Sequence, residues 1–241
     1  MEEHGQYRAL VIRAAAALLL AGSAPADACR LALVLAIDVS SSVDADEDAL
    51  QRQGLAAALV APEVAEAVFA SPEPVALAVF EWSGRYNQTL LAPWTVVRTP
   101  EDLTALSRAV AESRRSHDDF PTAMGHALGF ASGLLRDGPA CLFRTIDIAG
   151  DGINNEGFGP LQAYAAFPFE DVIVNGLVVN AADFEGEVDL IPFFTTEVIR
   201  GPGAFVEIAA SFRDYETAMR RKLVRELGMQ VLGSVAPEPP G

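Results

Sequence analysis

The sequence predicts an α/β fold, a doubly wound and mostly parallel six-stranded sheet with helices on both faces. Three observations predict it. Short, continuous apolar runs recur along the chain, as expected of strands buried on both faces of a parallel sheet. Helical stretches separate these runs, so strand and helix alternate. The polar residues that could carry chemistry fall just after the runs. In such sheets ligands sit at the carboxyl ends of strands, where the winding reverses.

Composition agrees with one well-buried domain. The chain has 241 residues, 51% of them hydrophobic and 21% charged, which excludes a disordered polypeptide. A formal charge of −16 argues against nucleic acid and against anionic membrane surfaces as partners. Residues 1–28 are of another kind. Arg8 and Arg13 precede an apolar run at 14–21, and Ala26-Asp27-Ala28 offers the small residues read by a signal peptidase. The run is short of the ~20 residues that span a bilayer. The expectation is a secretory signal peptide and a periplasmic or secreted mature protein. Cys29 follows directly, but Asp27 makes a poor lipobox.

The elements then follow in order. Residues 31–37 (LALVLAI) form the first buried strand, and an acidic-started, alanine-rich helix covers 44–60. Residues 75–80 (VALAVF) are the second strand; a turn at 83–85 leads to an antiparallel edge strand at 86–91. Thr99-Pro100-Glu101-Asp102 opens the next helix with a capping threonine, a first-turn proline and an acid three residues on; Leu103, Leu106 and Val110 are its buried stripe. The segment 122–136 places Met124, Ala127, Leu128, Ala131 and Leu135 on one helical face, and Gly138 stops it. Strands at 142–149 and 172–179 and a weaker one at 205–209 complete the sheet. The last helix, 211–227, buries Phe212, Tyr215, Met219, Leu223 and Leu227, with Arg213, Arg220, Arg221, Lys222 and Arg225 on an outer, solvated face. The stretch 231–241 reads as a disordered Pro/Glu tail. There is no internal repeat.

Candidate chemistry lies in three loops. Asp38-Val39-Ser40-Ser41-Ser42 follows the first strand and can turn one carboxylate and two hydroxyls onto one point. Hard cations such as Mg²⁺ take oxygen ligands in an octahedron at ~2.1 Å. By itself this spacing is equally that of an ordinary helix cap. Thr122 heads a later helix, and Asp151 follows the 142–149 strand. Taken together, the three loops resemble the metal-ion-dependent adhesion site of the von Willebrand factor type A family. The chain looks more narrowly like a bacterial, secreted branch of that family grouped as a domain of unknown function. The resemblance implies a strand order of 3-2-1-4-5-6 and a domain over 29–230. It also implies Mg²⁺ or Mn²⁺ held by Asp38, Ser40, Ser42, Thr122 and Asp151, and cation-dependent binding of a protein partner through an acidic side chain. Asp118 and Asp119 stand where such domains often carry glycines. These acids can repel an acidic ligand, join the metal as an outer shell, or face water.

Two other readings are kept beside this one: a metal-dependent hydrolase, and a type A-like domain whose metal is purely structural. No G-x-S-x-G elbow surrounds Ser40–Ser42, and neither His117 nor His126 forms a recognisable hydroxyl–His–acid pattern. Catalytic residues are therefore not assigned. The two cysteines, Cys29 and Cys141, begin the strands that lead to Asp38 and Asp151. In the implied order those strands are parallel neighbours, so a disulfide is expected between them.

Overall fold

The computed structural model describes residues 29–180 and 189–233. Residues 1–28, 181–188 and 234–241 lie outside the described residues, and with them the expected signal peptide and most of the expected tail. Six strands form one sheet in the order β3-β2-β1-β4-β5-β6. They are β1 (Cys29–Asp38), β2 (Val75–Trp82), β3 (Gln88–Val97), β4 (Cys141–Gly150), β5 (Val172–Val179) and β6 (Val206–Ala209). Every pair is parallel except β2–β3.

The unbroken apolar run 31–37 within β1 has a direct cause: all residues of the strand are buried. Alternate side chains feed two cores, as the strand period of two requires. Leu31, Leu33, Leu35 and Ile37 join one core with α1 (Ala45–Leu59), α2 (Pro62–Val68), α3 (Pro100–Ala111) and α7 (Tyr215–Gly233). The smaller Ala32, Val34 and Ala36 join the other, against Phe80, Trp82 and α4 (Met124–Asp137). The short helices α5 (Pro160–Ala166) and α6 (Leu190–Phe193) close that second layer, and a π-helical turn continues α6 over Phe194–Val198. Among the described residues no helix is long and apolar enough to cross a membrane.

Helix starts follow the expected capping chemistry. Asp44 caps α1 in a reciprocal box with Glu47, and Thr99 caps α3 with Asp102. The stripes expected on α3, α4 and α7 are buried.

Three local expectations are corrected. The edge strand begins at Gln88, because residues 84–87 form the turn that leaves Tyr86 89% exposed. It runs on to Val97 through Pro93, which lies where the register with β2 shifts between Val79↔Ala92 and Leu77↔Thr95. An irregular edge strand tolerates a residue with no N–H to donate. Gly138 ends α4 as expected, in an extended conformation. A Cβ there would meet Trp94 Nε1 at 2.6 Å, and that indole N–H donates to Leu134 O at 3.1 Å. Lys222 does not belong to the outer face of the last helix. It is fully buried, with Nζ 2.9 Å from Asp147 and 2.7 Å from Glu226, and Asn175 donates to the same Glu226 oxygen at 2.6 Å. Lastly, α7 continues through Gly233 and takes in the first residues of the stretch that composition assigns to a tail.

A disulfide joins Cys29 to Cys141, which are register partners on β1 and β4 with Cα atoms 4.5 Å apart. It staples the amino ends of the two central strands. Their carboxyl ends carry Asp38 and, just past Gly150, Asp151.

Candidate metal centre

The site is assembled where β1 and β4 end side by side. The Asp38 backbone is fixed from two sides: Gln51 Nε2 on α1 donates to Asp38 O at 2.6 Å, and Val39 N–H donates to Trp82 O on β2 at 2.8 Å. The chain then turns, and the Ser40 N–H donates to Asp38 Oδ1 at 2.8 Å. That bond points the carboxylate into the turn. Asp38 Oδ2 is buried and has no hydrogen-bond partner. A Cβ on Gly150 would lie 3.1 Å from it, so glycine at the end of β4 is what keeps that oxygen uncovered.

The hydroxyls form a chain beside it. Ser40 Oγ is 3.1 Å from Ser42 Oγ and accepts from Thr122 Oγ1 at 3.3 Å, and Ser42 Oγ donates to Asp151 Oδ1 at 2.7 Å. Asp38, Ser40 and Thr122 are buried, Asp151 is half-buried and Ser42 is exposed. The arrangement therefore has a closed floor and an open mouth. All five side chains named from the sequence come together, each from the expected strand end or loop.

Thr122 differs from expectation in one respect. It does not cap α4, which starts at Met124 after Ala123, a cap with no side-chain hydrogen bond. Its backbone is held instead by the loop after β4: Thr122 N–H donates to Asn155 Oδ1 at 2.9 Å, and Thr122 O accepts from the amides of Asn155 and Glu156 at 3.0 and 3.2 Å. Asn154 Oδ1 takes the Gly125 N–H at 3.3 Å. Freed from capping, the threonine hydroxyl turns toward Ser40.

Burial pushes the Asp38 carboxyl well above its ordinary range, and the Asp151 charge pushes the same way; the Ser40 hydrogen bonds and the Arg115 charge oppose it. A buried carboxylate beside a second one is unfavourable unless a proton or a cation compensates it. The donor set consists of oxygen atoms, which suits a hard divalent ion. Among the described residues no cluster of three or more His, Cys, Asp or Glu could hold a metal. Hydroxyls would have to supply the remaining protein ligands here.

Asp118 and Asp119 are exposed, and no hydrogen bond or ion pair engages them among the described residues. The His117 ring packs edge-on to Phe120 with centroids 5.2 Å apart. His126 stacks on Phe158 at 4.0 Å, and burial and the Arg85 charge lower its pKa.

Several residues that build the site gave no local signal. Arg115 is the foremost. Its guanidinium donates to the carbonyls of Val39, Ser40, Val43 and His117. Its loop is pinned in turn: Ser116 N–H donates to Glu81 Oε1 at 2.8 Å, and Arg52, paired with Asp48 at 2.9 Å and with Glu81, donates to Ser113 Oγ at 2.8 Å. Apart from the Asp48–Arg52 pair on α1, the members of this network come from distant parts of the chain.

The fold has known counterparts. Proximal thread matrix protein 1 from the mussel byssus, in a form described with a zinc-occupied MIDAS motif, aligns with a TM-score of 0.57 and 18% identity, covering 83% of this chain and 48% of that one. A von Willebrand factor type A protein from Catenulispora acidiphila aligns with a TM-score of 0.56 and 15% identity over 83% of this chain and 43% of that one. The pilus adhesin SpaC from Lactobacillus rhamnosus GG gives 0.59 and 12%, over 82% and 30% respectively. The chain thus spans less than half the length of these proteins. No curated protein matches it in sequence. A family profile described as "Protein of unknown function (DUF1194)" matches residues 28–231. The chain accordingly belongs to the DUF1194 family, and its domain has the von Willebrand factor type A fold.

Proposed function

We propose that this protein is an exported, divalent-cation-dependent protein-binding module of the adhesion type. Asp38, Ser40, Ser42, Thr122 and Asp151 would hold Mg²⁺ or Mn²⁺. The observation that carries the reading is the buried, unpartnered Asp38 Oδ2 beside a linked row of hydroxyls that opens to solvent at Ser42 and Asp151. The oxygen is costly to leave unpaired, and a cation is the partner its surroundings suit.

Two carboxylates balance the formal charge of a divalent ion, and five side-chain oxygens fill at most five of its six octahedral positions. Such an ion supplies electrostatic attraction for a partner's carboxylate at an open coordination position. The chain's part is to present the ion at the mouth and hold the hydroxyls in place. A structural neighbour whose corresponding motif is described as zinc-occupied supports the metal reading, and a pilus adhesin among the neighbours supports binding of a protein. Export is supported by the expected signal peptide and by the Cys29–Cys141 disulfide, which persists in oxidising compartments.

A pull-down from envelope extract tests this, run with Mg²⁺, with Mn²⁺ and with chelator, on the wild type and on Asp38→Ala. Capture that needs either ion and is lost in Asp38→Ala is expected. Capture unaffected by chelator would sink the cation-dependent reading. Asp118→Ala and Asp119→Ala refine it. If these acids guard the mouth, removing their repulsion strengthens capture at low salt. If either change abolishes cation binding, the ion is ringed by extra carboxylates and its role is structural.

A further inference from the structure

Arg115 belongs to the loop between α3 and α4, yet most of its hydrogen bonds go to the loop after β1. Nη2 donates to the carbonyls of Val39 and Ser40 at 2.9 Å each, and Nη1 donates to Val43 O at 2.7 Å. Nε donates to His117 O at 2.7 Å, within its own loop. Two physical consequences follow. The segment bearing Ser40 and Ser42 is tied to the segment that runs on to Thr122, so hydroxyls from distant parts of the chain keep one spacing. Backbone carbonyls on either side of the serines are also claimed by the guanidinium and directed at it.

Those carbonyls matter for ion choice. Ca²⁺ takes six to eight oxygens, backbone carbonyls prominent among them, whereas Mg²⁺ needs a compact octahedron and readily keeps waters. A planar guanidinium offers five donors in a fixed fork and can hold four carbonyls at set angles, more than the three rotatable donors of an ammonium can. We propose that Arg115 is the positioning and ion-selecting residue of the cation site: it withholds the Val39, Ser40 and Val43 carbonyls and leaves a side-chain-only donor set that fits Mg²⁺ or Mn²⁺ better than Ca²⁺. The inference rests on the cation reading above.

The test uses the mature chain as wild type, Arg115→Ala and Arg115→Lys. Each is titrated calorimetrically with MgCl₂, MnCl₂ and CaCl₂, and backbone amide exchange is measured without metal. Residues that orient metal ligands from outside typically change affinity by roughly 10- to 100-fold. Arg115→Ala is expected to lose that much for Mg²⁺ and Mn²⁺ and clearly less for Ca²⁺. The amides of Ser41 and Val43, which donate to Phe120 O and Ser40 O, should exchange faster. Arg115→Lys should fall between the two, and it carries the same comparison if the alanine protein proves unfolded by circular dichroism. Equal losses for all three ions overturn the selectivity. Wild-type binding that a folded Arg115→Ala reproduces, with unchanged amide exchange, overturns the assignment of Arg115 alone. A wild type that binds none of the three ions overturns the cation reading itself and this inference with it.

Discussion

Lys222, Asp147 and Glu226 put two carboxylates and one ammonium in a place sealed from water, each at most 1% exposed. The lysine reaches both acids, Asn175 supports Glu226, and Tyr215 is the further titratable group beside Asp147. Burial pushes the Asp147 carboxyl up to about 7; the Lys222 charge opposes the shift and the Glu226 charge adds to it. A carboxyl whose folded pKa lies above its unfolded one binds its proton more readily in the native state. Its contribution to stability is therefore full at acid pH and fades as pH rises through the folded value. The expected outcome is that this contribution declines between about pH 4 and pH 7. Asp147→Asn should remove that decline, so urea midpoints of wild type and variant should diverge in slope over that window; parallel profiles would refute it. At the cation site, Asp38→Ala should keep a native circular dichroism spectrum and lose the melting-temperature rise on adding Mg²⁺, because the core is built without the site. Asp38, Ser40 and Ser42 were legible in the sequence because three ligand-type residues sit within five positions of a strand end. Arg115 was not, since its acceptors in the loop after β1 lie 72, 75 and 76 residues away. Lys222 was misread for a related reason: nothing near it in sequence shows that β4 and β5 supply a buried acid and an amide opposite its side of the helix.

The start of α4 is the element on which the Thr122 hydroxyl depends, and it tolerates little change. A Cβ on Gly125 would sit 2.0 Å from Phe158 O and 2.8 Å from Gly159 O, both backbone atoms. Gly125→Ala must push the 151–159 loop away from the helix, and with it Asn155, which holds Thr122. A loss of about 3 kcal/mol is expected for overpacking of this kind, read as a lower urea midpoint, together with weaker Mg²⁺ binding than wild type. A variant as stable as wild type would show that the loop yields freely. Buried strands and the long helices could be read in advance because one face or both faces repeat an apolar pattern over many residues. The seven-residue helices α2 and α5 could not, as two turns are too short for a periodic stripe to stand out. The edge strand extends past the expected 86–91 through Pro93, a residue with no N–H for a ladder, which only its place at an irregular sheet edge makes acceptable.

Over the whole molecule, strand order followed from the family resemblance and the placement of the two cysteines agreed with it. Closing a loop between residues 112 apart stabilises by about 4–5 kcal/mol in the chain-entropy account. Replacing Cys29 and Cys141 together by alanine should lower the unfolding free energy by up to that amount and leave Mg²⁺ affinity close to wild type, because the bridge and the site lie at opposite ends of β1 and β4. A large loss of affinity would show that the two ends are coupled through the strands. The bridge also has a mechanical side. A partner gripping the carboxyl ends of the sheet, while the chain is tethered through its amino end, would load β1 lengthwise and shear it against β2 and β4. With Cys29 bonded to Cys141, tension entering at residue 29 is shared at once with β4. The 112-residue segment between them cannot be drawn out, which withholds roughly 370–400 Å of contour length at full extension. Oxidised molecules stretched between their ends should extend less than reduced ones by about that length, and a domain so stapled yields under load only beyond the bridge.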